Sequence, residues 1–442
     1  MRVQASVHRR KQRFVTAHKF ANGTQLCLVR ASSSSQPKLL FWNGSTASIR
    51  PSFNIDGHLY KPLRLSRNLL RNLRLPAPPR PYTSVEKLTE SIATALEQHA
   101  YLQAHAARLL AYCCVATWFP ERLELAPCIS ITSPVGPNRV LILQLLSCFC
   151  RHAMVMGQAS PESLLHVASG LQPTLLIHYA KVPPKVQSIV NAGCYRIPIP
   201  RASGEMVDSF GVKVVAASEP AVRLENAVNV AIPLHQTAPA PSWDDAGLRT
   251  LAPEFQGQLL GYRLEHMKEV AASDWDVPEF LSPLREIARS LGRCLCSRKL
   301  RQDLIELLRA QEEELRAAWS VDDRTIAIEA LLLACHNRDS QGEGQPPKDR
   351  LYVGEAAEIA NGILKLRSEQ PWLTARRCGE LLRAVGLPTR RLDKAGRGWR
   401  LDEKTREKIH ELAKNYRVRS ISQAFEGCPH CRVLAASDSD SV

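Results

Sequence analysis

The segment that begins with Cys128–Thr132 carries residue types that could bind a phosphate. Its β-branched run predicts a buried strand, the run breaks at residues 133–137, and an apolar run with helical spacing begins near Asn138. A strand, a tight loop and a helix are the frame of a phosphate-binding loop, in which loop amides and a helix N-terminus face an anion. Such loops usually end in Gly-Lys-Ser/Thr, whereas this chain has Asn138, Arg139 and Val140.

These three residues change the chemistry of the loop, in which Gly136, Asn138 and Arg139 are the positions expected to face a phosphate. Asn138 adopts the backbone conformations of glycine only in part. Arg139 keeps the positive charge of lysine but is a bulky planar fork, and Val140 has no hydroxyl to hold Mg²⁺. We therefore expect weak or no ATP binding, and no metal-assisted hydrolysis from this loop.

A second group of candidate residues lies in residues 351–418. Helices are predicted at about 354–366 and 374–385, followed by a strand-turn-strand over 389–401 and a last helix over 402–416. This order is typical of a winged helix, a variant of helix-turn-helix. Trp399 is expected in its core, and a winged helix that contacts protein instead of DNA is the alternative. The residues expected to contact DNA phosphates are Arg376, Arg377, Arg390, Arg391, Lys394, Arg397 and Arg400.

Other reactive residue types define no site in the sequence. Cys428 and Cys431 have the spacing of zinc ligands, but no second Cys-x-x-Cys lies nearby, and the pair Cys294 and Cys296 does not complete the set. No metal is therefore assigned. No HExxH, no GxSxG and no Cys/His pair with a recognisable spacing occurs, so no catalytic residue is assigned.

Composition and charge indicate a globular protein that binds a polyanion. Of 442 residues, 45% are hydrophobic and the formal net charge is +15. Residues 1–80 contain 15 Lys/Arg and one acid, and residues 374–442 contain 15 Lys/Arg and nine acids. Two basic ends on a mildly acidic middle favour nucleic acid, with DNA the leading candidate partner. A basic arm unrelated to nucleic acid, or an organelle transit peptide over the first twenty residues, are the alternatives.

The cysteines and the hydropathy of the chain indicate its cellular compartment. Most of the 13 cysteines lie in apolar runs, as reduced core thiols do, which favours a cytoplasmic location. No apolar run approaches the roughly 20 residues that a membrane span needs, so no membrane partner is expected.

The chain divides into six predicted regions with an α/β core. A small β-rich unit is followed by a proline linker over 75–82 and a capping box that opens at Thr83. Apolar strands near 173–177, 212–217 and 228–234 alternate with helices, which predicts a mostly parallel sheet covered by helices on both faces. The predicted regions are a β-rich unit (1–80), the α/β core (83–240), a helical region (241–336), a linker (337–350), a winged helix (351–418) and a disordered tail (419–442).

Several short motifs, in order, resemble the primase- and helicase-associated P-loop ATPases of phages, plasmids and integrated elements. The loop at residues 133–140 resembles their nucleotide loop, and PTLLIHYA, which includes His178 and Tyr179, resembles the strand that delivers their Asp-Glu motif. NAGCYR (191–196) resembles their Asn-x-Gly-Tyr-Arg segment, residues 212–218 their sensor strand, and 378–401 their C-terminal winged helix. The resemblance covers roughly residues 85–415. It implies a P-loop NTPase-like fold, with replication or mobile-element proteins as partners and a homo-oligomer as a family-level expectation.

The departures from this family lie where catalysis would take place. His178 replaces the aspartate that would hold Mg²⁺ through water, and Tyr179 replaces the glutamate that would activate water. Residues 224–227 (LENA) replace the Asp-Arg pair, so Ala227 lies where an intersubunit arginine is expected. Because phosphoryl transfer needs metal, base and positive clamps together, we interpret the chain as a DNA-binding pseudo-ATPase. It would act as a replication accessory or loader. An active ATPase with unconventional ligands, or a protein-interaction scaffold, are the alternatives.

Overall fold

A computed structural model describes most of the chain, in two compact units, Met1–Gln311 and Glu312–Val442. Among the described residues, no helix is both long and apolar enough to cross a membrane. The expected linker falls mainly outside them, as do most of the tail and Glu225 and Asn226. The described residues are 12–31, 36–134, 136–168, 171–201, 203–219, 224, 227–232, 245–336, 349–394, 396–416, 418, 428, 430 and 431.

The first unit begins with two small sheets, as the β-rich prediction requires. One sheet has the order β1-β7-β6, with β1 and β7 parallel, and the other is the antiparallel meander β2-β3-β4-β5. Strand β3 is buried along its whole length and forms the centre of this region. The strands are β1 (Gln12–Val15), β2 (Ala17–Lys19), β3 (Gln25–Val29), β4 (Lys38–Trp42), β5 (Ala47–Arg50), β6 (Phe53–Ile55) and β7 (His58–Pro62).

The central sheet of the first unit is six-stranded and mostly parallel. Its order is β15-β9-β14-β11-β10-β8, and only β8 pairs antiparallel, with β10. The elements up to this sheet's last strand are α1 (Arg67–Asn72), β8 (Leu73–Arg74), α2 (Val85–Ala100), α3 (Ala104–Ala116), β9 (Cys128–Thr132), α4 (Gly136–Phe149), β10 (Ala153–Gly157), α5 (Pro161–Ala168), β11 (Thr174–His178), α6 (Pro184–Ala192), β12 (Ile199–Pro200), β13 (Met206–Val207), β14 (Lys213–Ala217) and β15 (Ala227–Ala231).

The strand order creates a switch point beside β9. The chain leaves β9 toward β10 on one side of the sheet, whereas β15 pairs with β9 on the other side. In open α/β sheets, ligands bind outside the carboxyl ends of the strands at such a point. The loop after β9 and the end of β11 therefore occupy the edge where a site is expected. Helix α4 packs against β10, β11 and β14, and its buried face completes the core.

The start of α2 differs by one residue from the predicted capping box. The N-cap is Ser84, whose side chain accepts a hydrogen bond from the Lys87 amide at 3.2 Å, instead of Thr83. Both residues carry a hydroxyl group, and the sequence alone does not show which of them is the N-cap.

The expected proline linker at residues 75–82 is a packed segment. Leu75 and Ala77 are buried, and the Arg80 amide donates to the Gly257 carbonyl at 2.9 Å. A Cβ added at Gly257 would lie 2.8 Å from the Pro78 carbonyl oxygen, and one at Gly261 would lie 2.7 Å from that of Arg80. The extended segment thus fits closely on helix α7 (Asp245–Ala272) because two glycines one turn apart leave room for its backbone.

Helix α7 and two further helices complete the first unit. The Gln256 side chain on α7 donates to carbonyls at the end of α4, including that of Cys150 at 2.9 Å. Helix α8 (Leu284–Cys294) follows, and α9 (Arg298–Ser320) begins in the first unit and ends in the second. The predicted helical region therefore starts as an integral part of the α/β unit.

The second unit contains one helix more than the sequence assigns to it. The predicted boundary lies after His336, but helix α10 (Asp323–His336) shares a hydrophobic core with the rest of this unit. Ile328 and Leu331 pack in one cluster with Leu351, Trp399 and Ile409. This correction has a simple cause, because an amphipathic pattern shows that a helix buries a face but not which partner covers it.

The remaining elements of the second unit follow the predicted order of helices and strands, except that the strand β16 lies where the sequence predicted the end of the linker. Their antiparallel sheet has the order β16-β18-β17. The elements are β16 (Arg350–Tyr352), α11 (Val353–Leu366), α12 (Ala375–Ala384), β17 (Arg390–Arg391), β18 (Arg397–Arg400) and α13 (Glu403–Asn415).

Candidate functional site

The loop after β9 ends earlier than the sequence predicts. Helix α4 begins at Gly136 instead of near Asn138, so Asn138 and Arg139 lie in its first turn. Val135 falls outside the described residues. A helix start at this edge of the sheet has the partial positive charge that suits an anion. Val140 is 39% exposed, and an aliphatic side chain at that position offers no metal ligand.

Arg139 is turned back over the loop. Its side chain is only 6% exposed, and its Nη1 donates to the Ser133 carbonyl oxygen. Its Nε donates to Nε2 of His178, at 3.3 Å, at the end of β11. A Cβ at Gly136 would lie 3.7 Å from Arg139 Nη2, so the guanidinium lies beside the start of α4. The structure thus brings Gly136, Arg139 and His178 together, and the arginine fills the space between them.

His178 and Tyr179 have different environments. Burial and the neighbouring Arg139 lower the pKa of His178, so its ring is neutral at pH 7 and accepts the arginine's hydrogen bond. The Tyr179 side chain is 4% exposed, its hydroxyl donates to the Ala159 carbonyl, and burial raises its pKa. Neither residue supplies a carboxylate, and the Tyr179 hydroxyl is bound to the carbonyl of Ala159, two residues after β10.

Two cavities of the first unit lie around Glu121, which is not in the sequence-predicted site. They have volumes of about 470 and 320 Å³. Glu121 Oε1 lies 3.0 Å from Arg151 Nη1, and its Oε2 lies 2.9 Å from Arg263 Nη1. Both arginine side chains are about 95% buried, while 34% of the Glu121 side chain is exposed. This carboxylate is shared by two buried cations and lowers the cost of burying both, which is a structural task.

The N-terminal end of α12 carries two of the predicted DNA-binding residues. Thr374 caps the helix by accepting from the Arg377 amide at 3.2 Å. The Arg376 side chain is 90% exposed and lies 3.0 Å from Glu380, one turn along the same helix. Arg377 lies 3.8 Å from Asp323. Both guanidiniums remain accessible from solvent, and such exposed ion pairs contribute little to stability.

The antiparallel sheet of the second unit carries arginines on both faces. Arg391 is directly opposite Arg397, and Arg400 is directly opposite Arg350. Because side chains alternate between faces, Arg350 and Arg400 share one face with Arg390. Like charges directly opposite each other weaken strand pairing. A bound polyanion would offset this repulsion.

The contacts of these arginines leave most of their donors to solvent. Arg397 is exposed and donates to the Thr389 carbonyl at 2.9 Å, and Arg350 lies 3.4 Å from Asp393. Arg390, Arg391 and Lys394 are exposed. Sequence reasoning placed Arg350 at the end of the linker and missed it. The alternation of Arg350, Leu351 and Tyr352 after the linker is the signal that predicts a strand there.

Trp399 is part of the core, which confirms the prediction for this residue. It is 4% exposed, and its indole Nε1 donates to the Leu387 carbonyl at 3.1 Å. At its neighbour Gly398, an added Cβ would overlap the Leu351 carbonyl oxygen. Trp399 and Gly398 therefore fix the distance between the strands that present the arginines.

Comparisons with known proteins yield a coarse structural likeness. No protein-family model matches the chain, and no curated protein matches it. Two apo structures of the C-terminal region of NrS-1, both of the A form, are similar over 85% of this chain and 96% of their own. Their sequence identities are 10% and 11%, and their TM-scores are 0.34 and 0.35.

Proposed function

We propose that this chain is a DNA-binding accessory or loader protein, helicase- or primase-like and of mobile-element origin. Its second unit is a winged helix that binds DNA phosphates. Its first unit is a P-loop NTPase-like core that binds ATP weakly or not at all and does not hydrolyse it. The observation that carries the proposal is the exposed arginine surface on the sheet and α12 of the second unit, where like charges face each other across strands.

The order of elements supports the winged-helix assignment. Helix α10, strand β16, helices α11 and α12 and the hairpin β17–β18 follow one another, and β18 pairs between β16 and β17. In a helix-turn-helix unit the second helix of the pair enters the DNA groove, and here α12 holds that place with two exposed arginines at its start. The hairpin arginines would contact the adjacent backbone.

The contacts of Arg139 support the absence of hydrolysis. A phosphate clamp must be open to its substrate, but this guanidinium donates to Ser133 and His178. The positions that would supply metal ligand and base hold His178 and Tyr179, which have no carboxylate. Catalysis of phosphoryl transfer consists almost entirely of positioning and charge stabilisation, and it needs these parts at once.

Fluorescence anisotropy with labelled single- and double-stranded DNA tests the proposal. We would titrate the full chain from roughly 50 to 200 mM salt, with and without Mg-ATP, because phosphate contacts make affinity fall steeply with salt. For the variant Arg390→Glu/Arg391→Glu we expect duplex affinity at least tenfold lower and a log–log salt slope shallower by about 2, one per lost contact. Mg-ATP should leave the DNA affinity of both the wild type and the variant unchanged.

The matched control is Arg298→Glu/Lys299→Glu, an exposed basic pair at the start of α9 with the same change in net charge. It should bind DNA as the wild type does. Equal losses in both variants would mean that net charge alone drives binding. If neither DNA binds at low salt, the scaffold alternative replaces the proposal. Mg²⁺-dependent ATP turnover that is lost on Arg139→Ala would establish the active-ATPase alternative.

A further inference from the structure

Four potential metal ligands from distant parts of the sequence meet in the second unit. His336 is the last residue of α10, His410 lies in α13, and Cys428 and Cys431 come from the segment after α13. One ligand atom from each residue lies within 4.8 Å of the other three. His410 and Cys431 are buried, whereas His336 and Cys428 are half-buried.

The distances between these atoms are those of a tetrahedral zinc site. His336 Nε2 and His410 Nε2 are 3.2 Å apart. Cys428 Sγ lies 3.5 Å from His410 Nε2, and Cys431 Sγ lies 3.4 Å from His336 Nε2. Zinc bonds of about 2.0 Å to nitrogen and about 2.3 Å to sulfur, at tetrahedral angles, place two nitrogens about 3.3 Å apart and a nitrogen and a sulfur about 3.5 Å apart.

The hydrogen bonds of both histidines fix the tautomer that a metal requires. Nδ1 of His336 lies 2.7 Å from the Leu332 carbonyl oxygen, and Nδ1 of His410 lies 2.7 Å from that of Arg406. A carbonyl only accepts, so each Nδ1 is the donor and each neutral ring presents a lone pair at Nε2. Metal-bound histidines usually have such a partner on the other nitrogen. Two lone pairs directed at one point repel each other unless a cation lies between them.

A second group of potential ligands, His266, Glu269 and Cys296, does not have this arrangement. His266 Nδ1 is 2.8 Å from Glu269, and its Nε2 is 3.0 Å from the Tyr82 hydroxyl. Both ring nitrogens already have partners within the protein. His430 lies beside the first group, but its Nε2 is 3.0 Å from a Glu403 carboxylate oxygen, so it is directed elsewhere.

We propose that His336, His410, Cys428 and Cys431 form a structural Zn²⁺ site. All four positions of the tetrahedron are occupied by protein, which leaves no position for substrate and is typical of structural zinc. The site fastens Cys428 and Cys431 to the end of α10 and to the middle of α13. This inference is independent of DNA binding, because none of the four residues belongs to the arginine surface.

Metal analysis of the full chain, purified without a chelator, tests this site. We expect one zinc per chain after dialysis, and no bound zinc in Cys428→Ser or Cys431→Ser. The control is Cys296→Ser, which belongs to the other group and should retain the zinc. Replacing zinc by Co²⁺ should give the visible absorption of a tetrahedral centre with two thiolates.

A further variant separates loss of metal from loss of fold. Cys431→His keeps four ligands but only one thiolate, so it should still bind one Co²⁺ while its absorption changes. A wild type without stoichiometric zinc and without the tetrahedral Co²⁺ spectrum would overturn the proposal. Zinc that is lost from Cys296→Ser and retained in both tail variants would overturn it as well, as would a Cys428–Cys431 disulfide in the freshly purified protein.

Discussion

Two sets of arginines, one in each unit of this protein, have opposite roles. In the first unit, Arg139, Arg151 and Arg263 are at most 6% exposed and donate to carbonyls, a histidine or a carboxylate of the same unit. In the second unit, Arg390 and Arg391 are exposed on a short strand, and Arg391 faces another arginine across it. The residue type and its charge are the same in both sets, but the partners differ.

This difference shows which positive charges are available to a ligand. A guanidinium with internal acceptors lowers the cost of its own burial and contributes to the fold. An exposed guanidinium opposite a like charge costs some stability and is free to contact a polyanion. The hydrogen-bond and ion-pair partners of each arginine, more than the number of positive charges, therefore distinguish the structural arginines from the candidate DNA-binding ones.

The largest expected effect concerns the structural arginines. Glu121→Gln would leave Arg151 and Arg263 buried without their carboxylate. A fully buried pair would lose about 3–5 kcal/mol. Since a third of the Glu121 side chain is exposed to screening solvent, we expect a loss of about 1–3 kcal/mol, measured by urea unfolding at pH 7. The control Glu124→Gln also faces two arginines, but at 57% exposure, and should cost less than about 1 kcal/mol.

The pH dependence of the unfolding free energy is a second test of the role of Glu121. Burial acts to raise the pKa of Glu121, but Arg151 and Arg263 outweigh it and hold the pKa well below the ordinary value. The carboxylate therefore contributes stability above the ordinary glutamate pKa of about 4.3, and this is lost as pH falls through the lowered pKa. The wild type should lose more stability than Glu121→Gln in this acidic range. Parallel curves would contradict the structural role.

A smaller effect is expected at Arg139. Because burial and Arg139 lower the pKa of His178, Arg139→Met should move that pKa upward, toward the ordinary histidine value. The titration of the His178 ring by NMR measures this change. Arg139→Lys keeps the charge and should keep the pKa low. If both variants leave it unchanged, Arg139 does not engage His178 in solution.

The smallest expected effect is an increase in stability, whereas Glu121→Gln lowers it. Arg391→Glu places a carboxylate directly opposite Arg397, so we expect a gain of about 0.2–1 kcal/mol in unfolding free energy together with weaker DNA binding. Arg390→Glu is the control, because its opposite residue is Gly398. A gain in stability without any loss of affinity would remove Arg391 from the DNA-binding surface.

The sequence predicted local structure well and long-range packing poorly. The strands Cys128–Thr132, Thr174–His178 and Lys213–Ala217 lie where apolar runs indicate them. The packed segment at 75–82 was missed because proline-rich composition describes backbone preference and not the surface beneath it. The two glycines that receive it lie about 180 residues further along the chain.

The candidate sites follow the same rule. The loop at Gly136 and the arginines of the hairpin are local patterns in the sequence, and they lie at a sheet edge and on an exposed surface. The ligands His336 and His410 are 74 residues apart and each resembles an ordinary residue of an amphipathic helix. Only the packing of α10 against α13 brings them to Cys428 and Cys431, so the cysteine pair could not be interpreted alone.

The pairing of β8 with β10 has a consequence for the order in which the chain folds during synthesis. Leu73 and Arg74 are synthesised about 80 residues before their partner strand. The segment that follows them can pack only when Gly257 on α7 has been synthesised. The amino-terminal sheets can form early from neighbouring strands. The edge strand β8 can pair only after β10 has been made, and the segment at 75–82 can pack only after α7 has been made, because such contacts need both partners. More than half of the chain must therefore be translated before this unit reaches its final packing.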